Sequence, residues 1–106
     1  MSVLLEFAMF PTDKGESVSE YVTEVIKGIE KSGVDFQLTP MGSIIETDTL
    51  KEALEIVENS YKVLEPFSNR VYSTIKLDIR KGRVNGMKKK IESINAKIGN
   101  QNVTNI

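Results

Sequence analysis

The chain has no cysteine, no histidine and no tryptophan among its 106 residues. Without cysteine there is no disulfide framework, no thiolate nucleophile and no thiolate zinc site. Without histidine the commonest general base and metal ligand is missing as well. Most familiar catalytic constellations are thereby excluded. With only three prolines, no linker, repeat or low-complexity segment stands out. Nor does any apolar run approach the ~20 residues needed to span a bilayer. The apolar start at Val3-Leu4-Leu5 has no basic region ahead of it and is interrupted by Glu6, so it does not read as a secretory signal. A cytoplasmic location with no membrane partner is expected.

What is present suits one globular domain. Apolar residues make up 40% and charged residues 27%, ordinary proportions for a soluble protein, and 11.9 kDa is enough for a single core. One domain over residues 1–98 is expected, with residues 99–106 as a frayed tail. The net charge of −1 hides a lopsided distribution. Residues 1–69 carry 5 Lys and Arg against 13 Asp and Glu, whereas residues 70–106 carry 9 against 2. Because the basic residues alternate with the apolar ones of a strand and a helix, they read as solvated faces packed against an acidic remainder, not as a nucleic-acid-binding arm.

Hydrophobic periodicity divides the chain into seven elements. Val3, Leu5, Phe7 and Met9 alternate with Leu4, Glu6, Ala8 and Phe10 in a strand with apolar residues on both sides, ended by Pro11. A helix follows on Val18, Tyr21, Val22, Val25, Ile26 and Ile29, with Ser17 and Glu20 spaced as a capping box and Gly33 suited to close it. Phe36 and Leu38, then Ile44 and Ile45, flank Thr39-Pro40-Met41-Gly42 and predict a hairpin with Pro40 early in its turn. Thr49, three residues ahead of Glu52, opens a second helix on Leu50, Ala53, Leu54, Val57, Tyr61 and Leu64 that Pro66 ends. Val71, Ser73, Ile75, Leu77 and Ile79 alternate with polar residues in the clearest strand of the chain. After Lys81-Gly82 comes a last helix, residues 85–98, with the narrow stripe Met87, Ile91, Ile94 and Ile98.

The order β-α-β-β-α-β with a trailing helix predicts an α+β, ferredoxin-like fold: a four-stranded antiparallel sheet with both main helices on one face plus a C-terminal helix. The other face would then lie bare, and a monomer of this size rarely exposes so much apolar surface. A homodimer or homotetramer is expected, packed through that face, through exposed edges or through both.

Four segments carry a family resemblance: E-F-A-M-F-P at residues 6–11, G-E-S-V-S-E-Y-V at 15–22, L-T-P-M-G-S-I-I-E at 38–46 and R-V-Y-S-T-I-K-L-D-I-R at 70–80. In these segments, their spacing and its length, the chain resembles the small thiamine-binding proteins related to YkoF. The resemblance implies a ferredoxin-like fold, assembly as dimers or dimers of dimers, and binding of thiamine or its hydroxymethylpyrimidine moiety without catalysis or a cofactor. It departs from that pattern at Ser43, where threonine is usual, and at Thr47, where glycine often follows the glutamate. Serine keeps the hydroxyl, while Thr47 narrows the space beside Glu46.

Thiamine offers a flat aminopyrimidine with donor and acceptor edges joined to a cationic thiazolium. It calls for a carboxylate, for hydroxyl or backbone groups, and for an aromatic or thioether surface over the ring. Glu46, Ser43, Thr39, Met41 and Phe10 are the candidates, expected in one neighbourhood because the first strand pairs beside the strand after the hairpin. Each also has a plain structural reading: Glu46 as a solvated carboxylate at a strand end, Met41 as a filler, Phe10 as part of the core. Asp78 with Arg80 forms a second candidate cluster, although same-face neighbours of opposite sign on a strand mostly pair with each other. Lys88, Lys89 and Lys90 spread around a helix and read as a solvated face.

The same architecture also serves RNA-binding and other regulatory modules, which is the alternative. RNA-recognition domains stack bases on sheet aromatics, but here Tyr72 is the only aromatic of the last strand and the pI near 5.5 gives no basic footprint. An enzyme working with carboxylates alone is weaker still, because no two are placed by a motif to share a substrate.

Overall fold

The computed structural model describes residues 1–16, 18–82 and 85–98. Its elements run β1 (Ser2–Pro11), α1 (Ser19–Ser32), β2 (Asp35–Thr39), β3 (Gly42–Thr47), α2 (Leu50–Leu64), β4 (Val71–Arg80) and α3 (Gly86–Ile98). The four strands form one antiparallel sheet in the order β2-β3-β1-β4, the ferredoxin-like arrangement expected from the periodicity. The tail at residues 99–106 lies outside the described residues.

Local chemistry accounts for most boundaries. Gly33 closes α1 in the left-handed conformation, φ 79°, its N–H donating to the Glu30 carbonyl. At the start of that helix the N-cap position is Val18, with no side-chain cap; the capping box expected there rests on Ser17, outside the described residues. Thr49 caps α2 as expected, its Oγ1 accepting from the Glu52 N–H at 3.1 Å and donating to Glu52 Oε1 at 2.8 Å. The hairpin turns on Pro40 and Met41, between the paired Thr39 and Gly42. Thr39 Oγ1 accepts the Met41 N–H at 3.2 Å and donates to the Gly42 carbonyl at 2.9 Å, so one hydroxyl staples the turn. Gly42 is needed for a close approach: a Cβ there would stand 2.8 Å from the Phe7 carbonyl oxygen of β1.

The core lies between the sheet and the α1–α2 layer. Val3, Leu5, Phe7 and Met9 of β1 meet Ile45 of β3, Val25 and Ile29 of α1, and Ala53, Ile56 and Leu64 of α2. On the order of 2 kcal/mol of stabilisation per fully buried side chain of this kind makes the two faces of β1 unequal in importance. The opposite face was expected to lie bare, and here the structure corrects the reading. Leu4, which alternates away from the core, is buried, and α3 lies against this outer face through Glu46 and Asp78, the two strand neighbours of Leu4. At the other end of the outer face Phe10 and Tyr72 remain exposed and pair with each other, ring centroids 5.8 Å apart.

Candidate functional site

Strand parity sorts the candidate residues. Ser43 and Glu46 stand three residues apart on β3, so their side chains leave the sheet on opposite faces. Ser43, opposite Phe7, is on the core side, whereas Glu46, opposite Leu4, is on the outer side. One small ligand held against Ser43 therefore does not also meet Glu46.

On the core side, pairing between β1 and β3 ends at Phe7 and Ser43, and the rest of β1 runs on without a neighbour on that flank. The opening is walled by the first half of α1 and by the hairpin turn. It forms a cleft of about 290 Å³ lined by Phe7, Met9, Val22, Val25, Leu38 and the hairpin residues 39–43, with Ala8, Phe10, Val18 and Ile26 completing it. Four of the six predicted site residues, Phe10, Thr39, Met41 and Ser43, come together here. Their states differ. Met41 is 85% exposed at the rim, and the Thr39 hydroxyl is occupied within the turn. Ser43 is only 6% exposed as a residue, and its hydroxyl makes no hydrogen bond to another described residue. Its oxygen is not sealed off and opens onto an otherwise largely apolar cleft with no charged side chain in its lining, where it is available to a ligand. The α1 wall, Val18, Val22, Val25 and Ile26, was read from the sequence only as a core stripe. No local signal marks its outer half as the side of a cavity.

Glu46 belongs to a different neighbourhood. Its Oε2 accepts the Gly86 N–H at 2.7 Å and the Ser2 hydroxyl, and its Oε1 lies 3.5 Å from the Met87 N. These are among the first N–H groups of α3, which have no partner within the helix and favour a negative charge. Glu46 thus ties β1, β3 and α3 together. It borders an open groove of about 400 Å³ shared with Asp35, Phe36, Gln37, Asn85, Met87 and Lys88. This groove is larger than the hairpin cleft, but it is shallower and more polar. Asp78, expected to pair with Arg80 on its own strand, is held by Lys90 of α3. Lys88 pairs along its own helix with Glu92 at 3.9 Å. Among the described residues no three acidic side chains converge to hold a metal ion, and no helix is long and apolar enough to cross a membrane.

The family model described as thiamine-binding protein matches residues 5–95. The chain belongs to the thiamine-binding protein family. Relatives of the family member described here include a UPF0045 protein of Mycobacterium bovis, 35% identical over 94 residues covering 89% of this chain and 92% of that one. Another, from Methanothermobacter thermautotrophicus, is 35% identical over 77% of this chain and 84% of its own. Among solved structures, a hypothetical protein from Methanocaldococcus jannaschii superposes with a TM-score of 0.78 at 33% identity, over 88% of this chain and 95% of that one. A putative thiamine biosynthesis/salvage protein from Thermotoga maritima superposes with a TM-score of 0.77, covering 89% and 99%, at 18% identity. At that identity the likeness speaks for the fold of the thiamine-binding protein family and for nothing finer.

Proposed function

We propose that the chain is a non-catalytic, cytoplasmic binding protein for thiamine or its hydroxymethylpyrimidine moiety, with the ligand held in the hairpin cleft. The observation that carries this reading is the cleft of about 290 Å³ itself, with no charged side chain in its lining and with Ser43 presenting a hydroxyl that makes no hydrogen bond to another described residue. That volume is at the small end of ligand pockets and suits a single substituted ring. Phe7 and Met9 offer aromatic and thioether surface to a flat heterocycle, Met41 stands at the rim to cover it, and Ser43 can meet a ring nitrogen or an exocyclic amine. The partners of such a protein are the ligand and further copies of the same chain.

The lack of charge in the lining narrows the reading. A buried cation without a counter-charge is unfavourable, so the neutral aminopyrimidine occupies the cleft and a thiazolium extends past Met41 into solvent. Calorimetric titration of the purified protein with thiamine and with hydroxymethylpyrimidine tests this. Both ligands are expected to bind with similar affinity, and Ser43→Ala is expected to weaken both by roughly two- to tenfold, the worth of one net hydrogen bond. No heat with either ligand would sink the proposal. Binding of thiamine without binding of the pyrimidine would move the ligand to the acidic groove beside Asp35 and Glu46.

A further inference from the structure

The hairpin cleft opens onto the backbone of β1 as well as onto its side chains. Phe7 and Met9 point to the helix side and Ala8 and Phe10 to the outer side, yet all four line it. The space between β1 and the hairpin therefore reaches into the plane of the sheet, where strands present their N–H and C=O groups.

Which groups face that space follows from alternation along β1. In an antiparallel sheet the N–H and C=O of one residue turn to the same neighbouring strand, and those of the next residue turn to the other. Thr12, one step past the end of the β1–β4 register, donates its N–H to the opposite Arg70 carbonyl at 2.9 Å. The even-numbered residues of β1 therefore turn to β4 and the odd-numbered ones to β3. Gly42 agrees, because a Cβ there would stand 2.8 Å from the Phe7 carbonyl oxygen, which puts that oxygen on the β3 flank. Pro11 agrees as well. It lies in the ladder opposite Val71, as a proline can where its nitrogen faces away from the partner strand.

Met9 is thus the residue whose two backbone groups enter the open flank. Pairing with β3 stops at Phe7 and Ser43. In a continued register Met41 would come next, but its N–H goes to Thr39 Oγ1 at 3.2 Å. Among the described residues no backbone bond of a turn or loop reaches Met9, and Pro11 beyond it has no N–H to offer on this flank. The gap therefore presents one N–H and one C=O side by side on a single extended residue, with the Ser43 hydroxyl at its inner end.

We infer that the Met9 backbone pair is the recognition element of the cleft, and that it takes a single-ring heterocycle by an edge on which a ring nitrogen stands next to an exocyclic amine. The N–H donates to the ring nitrogen and the C=O accepts from the amine. The ligand then stands where β3 leaves Met9 without a partner. This rests on the reading of the cleft as the ligand site and adds the chemical class that the site selects, of which the aminopyrimidine is one member. Recognition by backbone also accounts for the sequence here: Phe7-Ala8-Met9-Phe10 has no polar side chain, and none is needed to bind a polar edge.

Amide exchange followed by NMR on the isotope-labelled full-length protein tests the pair without any substitution. In the free protein, after correction for intrinsic rates, the Met9 amide is expected to exchange roughly tenfold or more faster than that of Leu5, which lies inside the β1–β3 ladder. Hydroxymethylpyrimidine should slow Met9 at least tenfold more than Phe10, whose N–H is bonded to β4, so that a general stabilisation of the fold is told apart from a bond at Met9. In calorimetry the analogue lacking the amine should bind roughly tenfold more weakly, because the Met9 carbonyl then has no donor. No heat with hydroxymethylpyrimidine itself overturns the cleft reading and this inference with it. A Met9 amide as protected as Leu5 before ligand is added, binding that slows Met9 no more than Phe10, or an amine-free analogue bound as tightly as its parent overturns the inference and leaves the cleft reading standing.

Discussion

The carboxylate of Glu46 accepts the backbone N–H of Gly86 at 2.7 Å, so a residue of β3 caps a helix that begins 40 residues later. The same carboxylate takes the Ser2 hydroxyl. One side chain therefore fixes the start of α3 to two neighbouring strands, and Lys90 with Asp78 holds the helix one turn further on.

Glu46→Gln keeps the shape and one acceptor oxygen but removes the charge. A hydrogen bond to a charged group contributes about 1.5 to 3 kcal/mol, and part of that is expected to be lost from the attachment of α3. Amide hydrogen exchange should rise in α3 and stay unchanged in β1 and β3. With the ligand in the hairpin cleft, on the other face of β3, its affinity should change by less than about twofold. A fall of ten- to a hundredfold in thiamine affinity would instead place the ligand beside Glu46.

Asp13 makes the loop after β1 sensitive to acid. Its Oδ1 accepts the Ser68 hydroxyl at 2.6 Å and its Oδ2 the Asn69 N–H at 2.9 Å, and these bonds, the hydroxyl first, hold the carboxyl below its ordinary 3.8. A depressed folded-state value means that the stabilisation is fully present above pH 3.8 and is lost as pH falls through the lower, folded value. An NMR titration should give Asp13 an apparent pKa below 3.8. Exchange of the Asn69 amide should quicken below that pH, and Asp13→Asn should abolish the pH step. An ordinary pKa for Asp13 would mean that the loop does not hold these bonds in solution.

The sequence made the frame legible because its signals are local. Thr49 and Glu52 sit on one turn, Gly33 follows its own helix, and the alternation of Val71, Ser73, Ile75, Leu77 and Ile79 needs no neighbour to be read. Four of the six candidate residues cluster because the hairpin and the end of β1 are adjacent in this topology. The separation of Glu46 from Ser43 was available in principle, since an odd spacing on a strand means opposite faces. The partner of Glu46 was not, because Gly86 is brought to it only by the closing of the whole sheet. Nor does alternation reveal how far a helix layer reaches: Ile75 and Leu5 look alike in the sequence, but only Leu5 has a helix over it.

Gly42 carries a steric prediction. A Cβ at this position would stand 2.8 Å from the Phe7 carbonyl oxygen and 3.3 Å from its carbon, both backbone atoms that cannot rotate away. Gly42→Ala must therefore part the hairpin from β1, and overpacking of this kind costs about 1 to 3 kcal/mol. Urea unfolding should show that loss, whereas Gly28→Ala, where an added Cβ meets nothing within 4 Å, should be neutral or slightly stabilising. Equal midpoints for the two variants would contradict the close approach.

The cleft itself can be tested by filling it. Val22 is half-buried on the α1 wall, facing the hairpin residues across the opening, and Val22→Phe adds a ring where the ligand's ring would lie. Because the added volume enters space that is open in the free protein, the fold should hold, with stability within about 1 kcal/mol of the parent, unlike overpacking of a filled core. Binding of hydroxymethylpyrimidine should fall at least tenfold, and thiamine should follow it, since both enter by the same ring. The comparison with Glu46→Gln then separates the two locations, because each variant alters one neighbourhood and leaves the other intact. A Val22→Phe protein that folds normally and binds both ligands as tightly as the parent would remove the ligand from the hairpin cleft.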